Sequence, residues 1–76
     1  MNLRFHFTSA RLKELQQALQ RAYRVGTWRQ VRRITALLLV GPGNSVEEAA
    51  EMVGVHPQTL YRWLKAWLTQ GMDSLK

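Results

Sequence analysis

The stretch SVEEAAEMVGVHPQTLYRWLKAWL, which begins at residue 45, constrains the fold of this chain more than any other. In both of its halves, apolar residues recur at the spacing that places side chains on one face of a helix. Ser45 and Glu48 have the spacing of a capping box, which marks a helix start. Gly54 tolerates the left-handed backbone that ends a helix, and Pro57 suits the first turn of the next one. The pattern therefore predicts two short helices joined by a tight turn, at about residues 45–53 and 57–70.

This pair of helices resembles the helix-turn-helix family at the positions where the motif is packed. A small residue, Ala50, stands where the two helices cross, and Gly54 stands in the turn. In the second helix, the apolar side faces away from a side that carries hydrogen-bonding and cationic residues. The residues predicted to form the structural core of the motif are Ala49, Ala50, Val53, Gly54, Val55, Leu60, Trp63, Leu64 and Trp67.

Two more helices are predicted upstream, at about residues 9–25 and 28–40. The first has a stripe formed by Leu12, Leu15, Leu19 and Tyr23, and the second opens on a capping box formed by Thr27 and Gln30. A chain of 76 residues is large enough for a single core only. We therefore predict one domain over residues 1–76, in the all-α class, with four helices of which the last three form a tri-helical, homeodomain-like helix-turn-helix.

The two ends of the chain are less regular. Residues 1–7 alternate apolar and polar side chains, which predicts an extended arm. No second strand is evident as its partner, so we expect the arm to pack across the helices; pairing with another copy, or reaching into a DNA minor groove, are the alternatives. The sequence GPGN at residues 41–44 predicts a turn. Residues 71–76 are predicted to be a short tail.

The composition favours a polyanionic partner. Eleven Lys and Arg residues against five Asp and Glu give a net charge of +6 and a pI near 10.9. The absence of cysteine excludes a disulfide scaffold and a thiolate zinc site. No apolar run approaches the ~20 residues of a membrane span, and the N-terminus lacks the apolar segment of a signal peptide. We expect a cytoplasmic, nucleoid-associated protein with no membrane partner, no cofactor and no metal.

The order of the segments carries a narrower resemblance. An N-terminal helix is followed by RRITALLLV, by SVEEAAEMVGVHPQTLYRW and by a helix ending in QGMDSL. This order is similar to the N-terminal DNA-binding part of bacterial transposases of the IS630 and Tc1/mariner superfamily, over nearly the whole chain. The resemblance implies sequence-specific binding of transposon-end DNA, and a C-terminal catalytic domain, with three acidic residues and divalent metal, in a longer parent chain.

One position departs from that family, which usually has Ser or Thr as the cap before the recognition helix. This chain has His56 there. A neutral imidazole accepts the capping hydrogen bond less well than a hydroxyl does, whereas a protonated imidazole can face a phosphate. Both roles stay open for His56.

For a motif that binds double-stranded DNA, the contacts come from the exposed front of the last helix. Gln58 and Arg62 lie four residues apart near its N-terminus. Glutamine pairs with the major-groove edge of adenine and arginine with that of guanine, so we predict that these two residues read bases. The residues predicted to contact phosphates are Thr59, Tyr61, Lys65, Arg29, Arg32, Arg33 and His56.

The main alternative is a helical protein–protein interaction or dimerisation module, or a small transcriptional regulator. A homodimer is compatible with either function. Catalysis by this chain is not expected, because Glu47 and Glu51 lie on an outer helical face, where acids complement the helix dipole. Trp63 and Trp67 are expected in the core rather than in a base-stacking platform. The surface predicted for a protein partner comprises Leu37, Leu39, Val40, Leu3, Phe5 and Phe7.

Overall fold

The computed structural model describes residues 4–75, and within them four α-helices dominate. The all-α class predicted from the sequence is confirmed. The elements in chain order are β1 (Arg4–His6), α1 (Ser9–Val25), α2 (Trp28–Val40), β2 (Pro42–Ser45), α3 (Val46–Val53), α4 (Pro57–Gln70) and a C-terminal 3-10 helix (Gly71–Leu75).

Side chains at the helix starts satisfy backbone groups that each helix leaves unpaired. The Ser45 hydroxyl accepts a hydrogen bond from the Glu48 backbone N–H at 3.1 Å, and the Glu48 carboxylate accepts one from the Ser45 N–H at 3.2 Å. Thr27 and Gln30 form the same reciprocal pair at the start of α2. Both capping boxes therefore exist as the sequence indicated, and each such cap contributes about 0.5–2 kcal/mol.

The second helix lies at the centre of the domain, in contact with α1, α3, α4 and β2. Its surroundings overturn the surface predicted for a protein partner, since Leu37 and Val40 are fully buried and Leu39 is half-buried. Helical periodicity alone does not show how many neighbours a helix has. The fully or almost fully buried apolar residues are Leu15, Ala18, Ala22, Val31, Ile34, Ala36, Leu37, Val40, Val46, Ala49, Ala50, Leu60, Leu64 and Trp67.

The N-terminal arm has a partner strand, so the prediction that none exists is wrong. Arg4 pairs with Ser45 and His6 with Pro42 in an antiparallel ladder with one irregularity between them. The Phe7 N–H continues the pairing by donating to the Gly41 carbonyl at 3.1 Å. The stretch predicted as a turn therefore includes a strand. Its pairing uses backbone groups alone, which composition does not reveal. Residues 1–3 of the predicted arm lie outside the described residues.

Two features near the ends of the helices also differ from their predictions. Tyr23, assigned to the buried stripe of α1, is 68% exposed, because α1 packs mainly on α2 and one side of its last turns faces water. The predicted tail forms the 3-10 helix, whose Leu75 packs against the core. The Gln30 amide holds it there by donating to the Leu75 carbonyl at 3.2 Å.

Candidate nucleic-acid interface

The turn between α3 and α4 depends on the backbone conformation of one glycine. Gly54 has φ +75°, in the left-handed region, and its N–H donates to the Ala50 carbonyl. Gly54 is exposed and contributes to the motif by its backbone conformation, as predicted for its place in the turn, and not by burial. Val55 follows with an N–H bond to the same carbonyl at 3.0 Å and is half-buried against the core. These bonds fix the direction in which α4 leaves the turn.

His56 occupies the N-cap position of α4. Its Nδ1 accepts a hydrogen bond from the Gln58 backbone N–H at 3.1 Å. The imidazole thus performs the capping role that Ser or Thr performs elsewhere, and Pro57 follows at the first helical position. The remaining ring nitrogen is on an exposed side chain at the start of α4, where helices attract anions.

The inner face of α4 anchors the helix to the rest of the domain. Leu60 and Trp67 are fully buried and Leu64 is almost so. The Trp67 ring lies 6.4 Å from the ring of Phe7, centroid to centroid, and 5.2 Å from the guanidinium carbon of Arg11. Its indole Nε1 is buried without an acceptor among the described residues. The burial of Trp67 therefore fixes α4 against the rest of the domain, although its indole N–H is left unpaired.

Trp63 lies at the edge of this inner face rather than in the core. It is half-buried, and the guanidinium carbon of Arg33 is 5.8 Å from its ring centroid. Burial lowers the pKa of Arg33 from its usual value, but an arginine side chain is not deprotonated in proteins. Its Nε is buried without an acceptor within residues 4–75. The aromatic ring thus orients a cation of α2 beside α4.

The opposite flank of α4 is braced by α3. The Tyr61 hydroxyl donates to the Glu47 carboxylate at 3.2 Å. Burial, together with this hydrogen bond and the negative charge of Glu47, raises the pKa of Tyr61 above its ordinary value. Because the phenolic proton is engaged within the protein, Tyr61 connects the two helices of the motif, a role that its position in the sequence did not indicate.

The outer face of α4 carries exposed polar and cationic side chains. Gln58, Arg62, Lys65 and Thr69 are all exposed, while Thr59 is half-buried on the flank. On α2, Arg29 and Arg32 are exposed and Arg33 is half-buried.

The charges around this face are strongly polarised. The sequence has no Asp or Glu between residues 15 and 46 and none in α4, whereas α3 holds three glutamates. Glu48 and Glu51 are exposed, but Glu47 is half-buried against Tyr61, so the expectation that Glu47 lies on an outer face is wrong. Among the residues that the structure describes, no group of three or more His, Cys, Asp or Glu is placed to hold a metal ion. None of the described helices is both long enough and apolar enough to cross a bilayer.

Comparisons with known proteins place this geometry in a family. Searches of curated proteins and of solved structures give no significant match. A family model described as a winged helix-turn-helix matches residues 33–76, which are 44 of the 76 residues. The match begins within α2 and includes β2, α3, the turn and all of α4. The elements β1 and α1 lie outside it. DNA is the partner that this fold indicates, and the chain belongs to the winged helix-turn-helix family.

Proposed function

We infer that this chain binds double-stranded DNA sequence-specifically, with the N-terminal half of α4 in the major groove, and that it recognises transposon ends as part of a transposase. The observation that carries the first part is the outer face of α4. Apart from Leu68 near the C-terminal end, the exposed residues of α4 are hydrogen-bonding or cationic, and α4 contains no acid. The inner face is fully packed, so α4 is held as a rigid element, which base reading requires.

Gln58 and Arg62 are the proposed base-reading residues. They are four positions apart, so their side chains lie one above the other on the exposed face. Each can make a bidentate contact, Gln58 with adenine N6 and N7 and Arg62 with guanine O6 and N7. A good pair of this kind discriminates against a wrong base by about 1–3 kcal/mol.

Phosphate contacts are proposed on both sides of this pair. Lys65 lies one turn further along α4, and Arg33 is oriented by Trp63 beside the helix. The free ring nitrogen of His56 is available at the helix start, where the backbone N–H groups also favour an anion. The remaining candidates for phosphate contact are Thr59, Arg29 and Arg32. Tyr61 is withdrawn from this set, because its hydroxyl donates to the Glu47 carboxylate.

Recognition of transposon ends rests on the similarity of the whole segment order to transposases of the IS630 and Tc1/mariner superfamily. This finer assignment makes a specific prediction. The preferred DNA site should occur twice, in inverted orientation, at the two borders of the element that encodes the protein. Footprinting of the parent chain on that DNA tests it, and protection of a single internal promoter site would instead indicate a transcriptional regulator.

Base reading is tested after selecting bound sequences from random duplexes. Arg62→Ala and Gln58→Ala should each lose about 1–3 kcal/mol on the selected site and relax its sequence preference. Lys65→Ala should weaken binding to all duplexes alike and reduce the salt slope by about one unit. Fluorescence anisotropy across salt concentrations measures both quantities.

A matched control for these variants is Arg24→Ala. It removes the same charge as Arg62→Ala from an exposed position near the end of α1, outside the motif. The proposal predicts that Arg24→Ala keeps the sequence preference. Equal losses on every duplex for Gln58→Ala, Arg62→Ala and Lys65→Ala would refute base reading by this pair.

A further inference from the structure

Exposed apolar side chains are concentrated at the turn between α1 and α2. Tyr23 is 68% exposed, Val25 81% and Trp28 69%, and these three lie within six consecutive residues. The other large apolar residues that the structure shows as exposed, Met52 and Leu68, lie on α3 and α4. Tyr23 is two positions before Val25 on a helix, so it projects from the opposite side of α1, whereas Val25 and Trp28 border the turn itself. Val25 and Trp28 are therefore the apolar part of a candidate interaction site.

The same turn is strongly cationic. Exposed arginines flank the apolar residues on both helices, and no acid occurs in the sequence from residue 15 to residue 46. Tryptophan, tyrosine and arginine are the residue types that dominate binding energy at protein interfaces. We call this surface the tip patch and define it as Val25, Trp28, Arg21 and Arg24.

An open cavity adjoins the tip patch. It has a volume of about 350 Å³ and lies between the end of α1, the start of α2 and the C-terminal 3-10 helix. Its walls are mostly apolar, and Arg21 and Val25 of the tip patch contribute to them. An apolar side chain can therefore enter the cavity while a carboxylate beside it meets Arg21. The other lining residues are Ala18, Ala22, Gly26, Gln30, Ile34 and Leu75.

The chemistry of the tip patch selects among three kinds of occupant. A duplex offers phosphates to the arginines but no apolar surface to cover Trp28 and Val25. A second copy of this chain, meeting the patch through the same surface, would bring arginines against arginines, and this like-charge contact opposes association. An acidic segment of another protein, with apolar side chains among its carboxylates, complements both the charge and the apolar area.

We propose that the tip patch and its cavity bind an acidic, amphipathic segment of a partner protein. The site lies beside the C-terminal 3-10 helix, whereas the proposed base-reading residues lie near the start of α4. Gln58 and Gln70 are separated by about 18 Å along a helix that rises ~1.5 Å per residue. The cavity and the base-reading pair are therefore at opposite ends of α4, and binding of a partner extends the function beyond DNA recognition. Of the proposed phosphate contacts, Arg29 is the one next to Trp28 in the sequence.

The test uses the full chain and two synthetic peptides. The first peptide has glutamates on one face of a helix and Leu and Phe on the other. The second has the same charge, with every Leu and Phe replaced by Ser. The proposal predicts that the first peptide binds saturably, with NMR shifts at residues 21–28 and Leu75. The serine peptide should bind at least about 10-fold more weakly.

Variants of the chain distinguish binding at the tip patch from non-specific hydrophobic binding. Trp28→Ser and Val25→Ser should each weaken binding of the first peptide several-fold. Met52→Ser removes an exposed apolar side chain of α3 and should leave binding unchanged. Circular dichroism checks that each variant keeps its helices. All three positions are exposed, so the fold should be retained.

Several results would overturn the proposal. Equal affinity for the two peptides would mean that charge alone attracts them. Shifts confined to α4 would mean that the peptide mimics DNA, and the absence of saturable binding by the first peptide would mean that the patch is no docking site. A duplex that shifts residues 21–28 more strongly than the peptide would assign the patch to nucleic acid. DNA binding by α4 is measured separately and does not depend on these outcomes.

Discussion

Replacing Trp67 by alanine should remove a large part of the stability of this domain. The indole is fully buried, and an aromatic side chain buries on the order of 200 Å², which at ~25 cal/mol per Å² amounts to about 5 kcal/mol. The unpaired indole N–H already costs the folded state about 1–3 kcal/mol, and the variant removes that cost. The cavity left behind acts in the opposite direction, so the net loss should be about 3–5 kcal/mol.

That loss is large for a chain of this size. A domain of 76 residues has a free energy of unfolding of roughly 4–11 kcal/mol. Urea unfolding followed by far-UV circular dichroism should therefore show a greatly lowered midpoint for Trp67→Ala. Trp67→Phe should lose less, because it keeps one ring in place and removes the unpaired donor.

Two other tryptophans provide the controls. Trp28→Ala changes a side chain that is 69% exposed and should alter stability by no more than about 0.5 kcal/mol. Trp63→Ala should lie between the two, because Trp63 is half-buried and loses its contact with Arg33. A Trp67→Ala variant that unfolds at the urea concentration of the parent would refute the reasoning. So would a larger loss for Trp63→Ala than for Trp67→Ala.

Three further predictions concern the backbone and one titrating pair. Gly54→Ala should lower the free energy of unfolding by about 1–2 kcal/mol, because φ is +75° at this position. Gly54→Asn should lower it less. Equal midpoints for the two variants in thermal melts would contradict this prediction. Gly41→Ala should cost about 1–3 kcal/mol in urea unfolding, because the added Cβ would lie 2.6 and 2.9 Å from two side-chain carbons. The raised pKa of Tyr61 favours the neutral phenol in the folded state, so its contribution to stability is present below the unfolded pKa of ~10 and is lost as pH rises through the folded pKa. Glu47→Gln should lower the pKa of Tyr61 toward its ordinary value, but not all the way, since the burial of Tyr61 remains. The absorbance of tyrosinate, recorded in a Tyr23→Phe background, measures this pKa. An unchanged titration would exclude the contact between Tyr61 and Glu47.

The features that were predictable from the sequence are those that depend on neighbours along the chain. The capping boxes at Thr27 and Ser45 involve residues three positions apart, and the left-handed Gly54 follows from its place after the last turn of α3. Helical periodicity likewise predicts which side of α4 is buried. Each of these depends on local geometry that a helix imposes wherever it occurs.

The features that were missed depend on residues distant along the chain. The pairing of Arg4 with Ser45 involves backbone groups, so no side-chain pattern predicts it. The burial of Leu37 and Val40 depends on how many elements surround α2. The exposure of Tyr23 depends on which part of α1 is covered by α2. Apolar periodicity cannot distinguish these cases, because it reports a face and not what covers it.

The same division holds in the candidate interface. The exposed front of α4, with Gln58 and Arg62, follows from spacing alone. The bond from Tyr61 to Glu47 and the position of Arg33 over Trp63 connect separate helices, and only the packed structure shows them. The cap formed by His56 was predictable in part. Its position before α4 was evident from the sequence, but its role as a hydrogen-bond acceptor was not.

The ladder between β1 and β2 has a consequence for synthesis of the chain. Arg4 is made early, but its partner Ser45 is added 41 residues later, which at ~5–20 residues per second is about 2–8 s. Helices form within microseconds, so α1 can form while the chain is still being extended. Val40, the last residue of α2, is made only five residues before Ser45. The first strand therefore stays unpaired through the synthesis of α1 and α2, and the ladder closes only after both of these helices have been made.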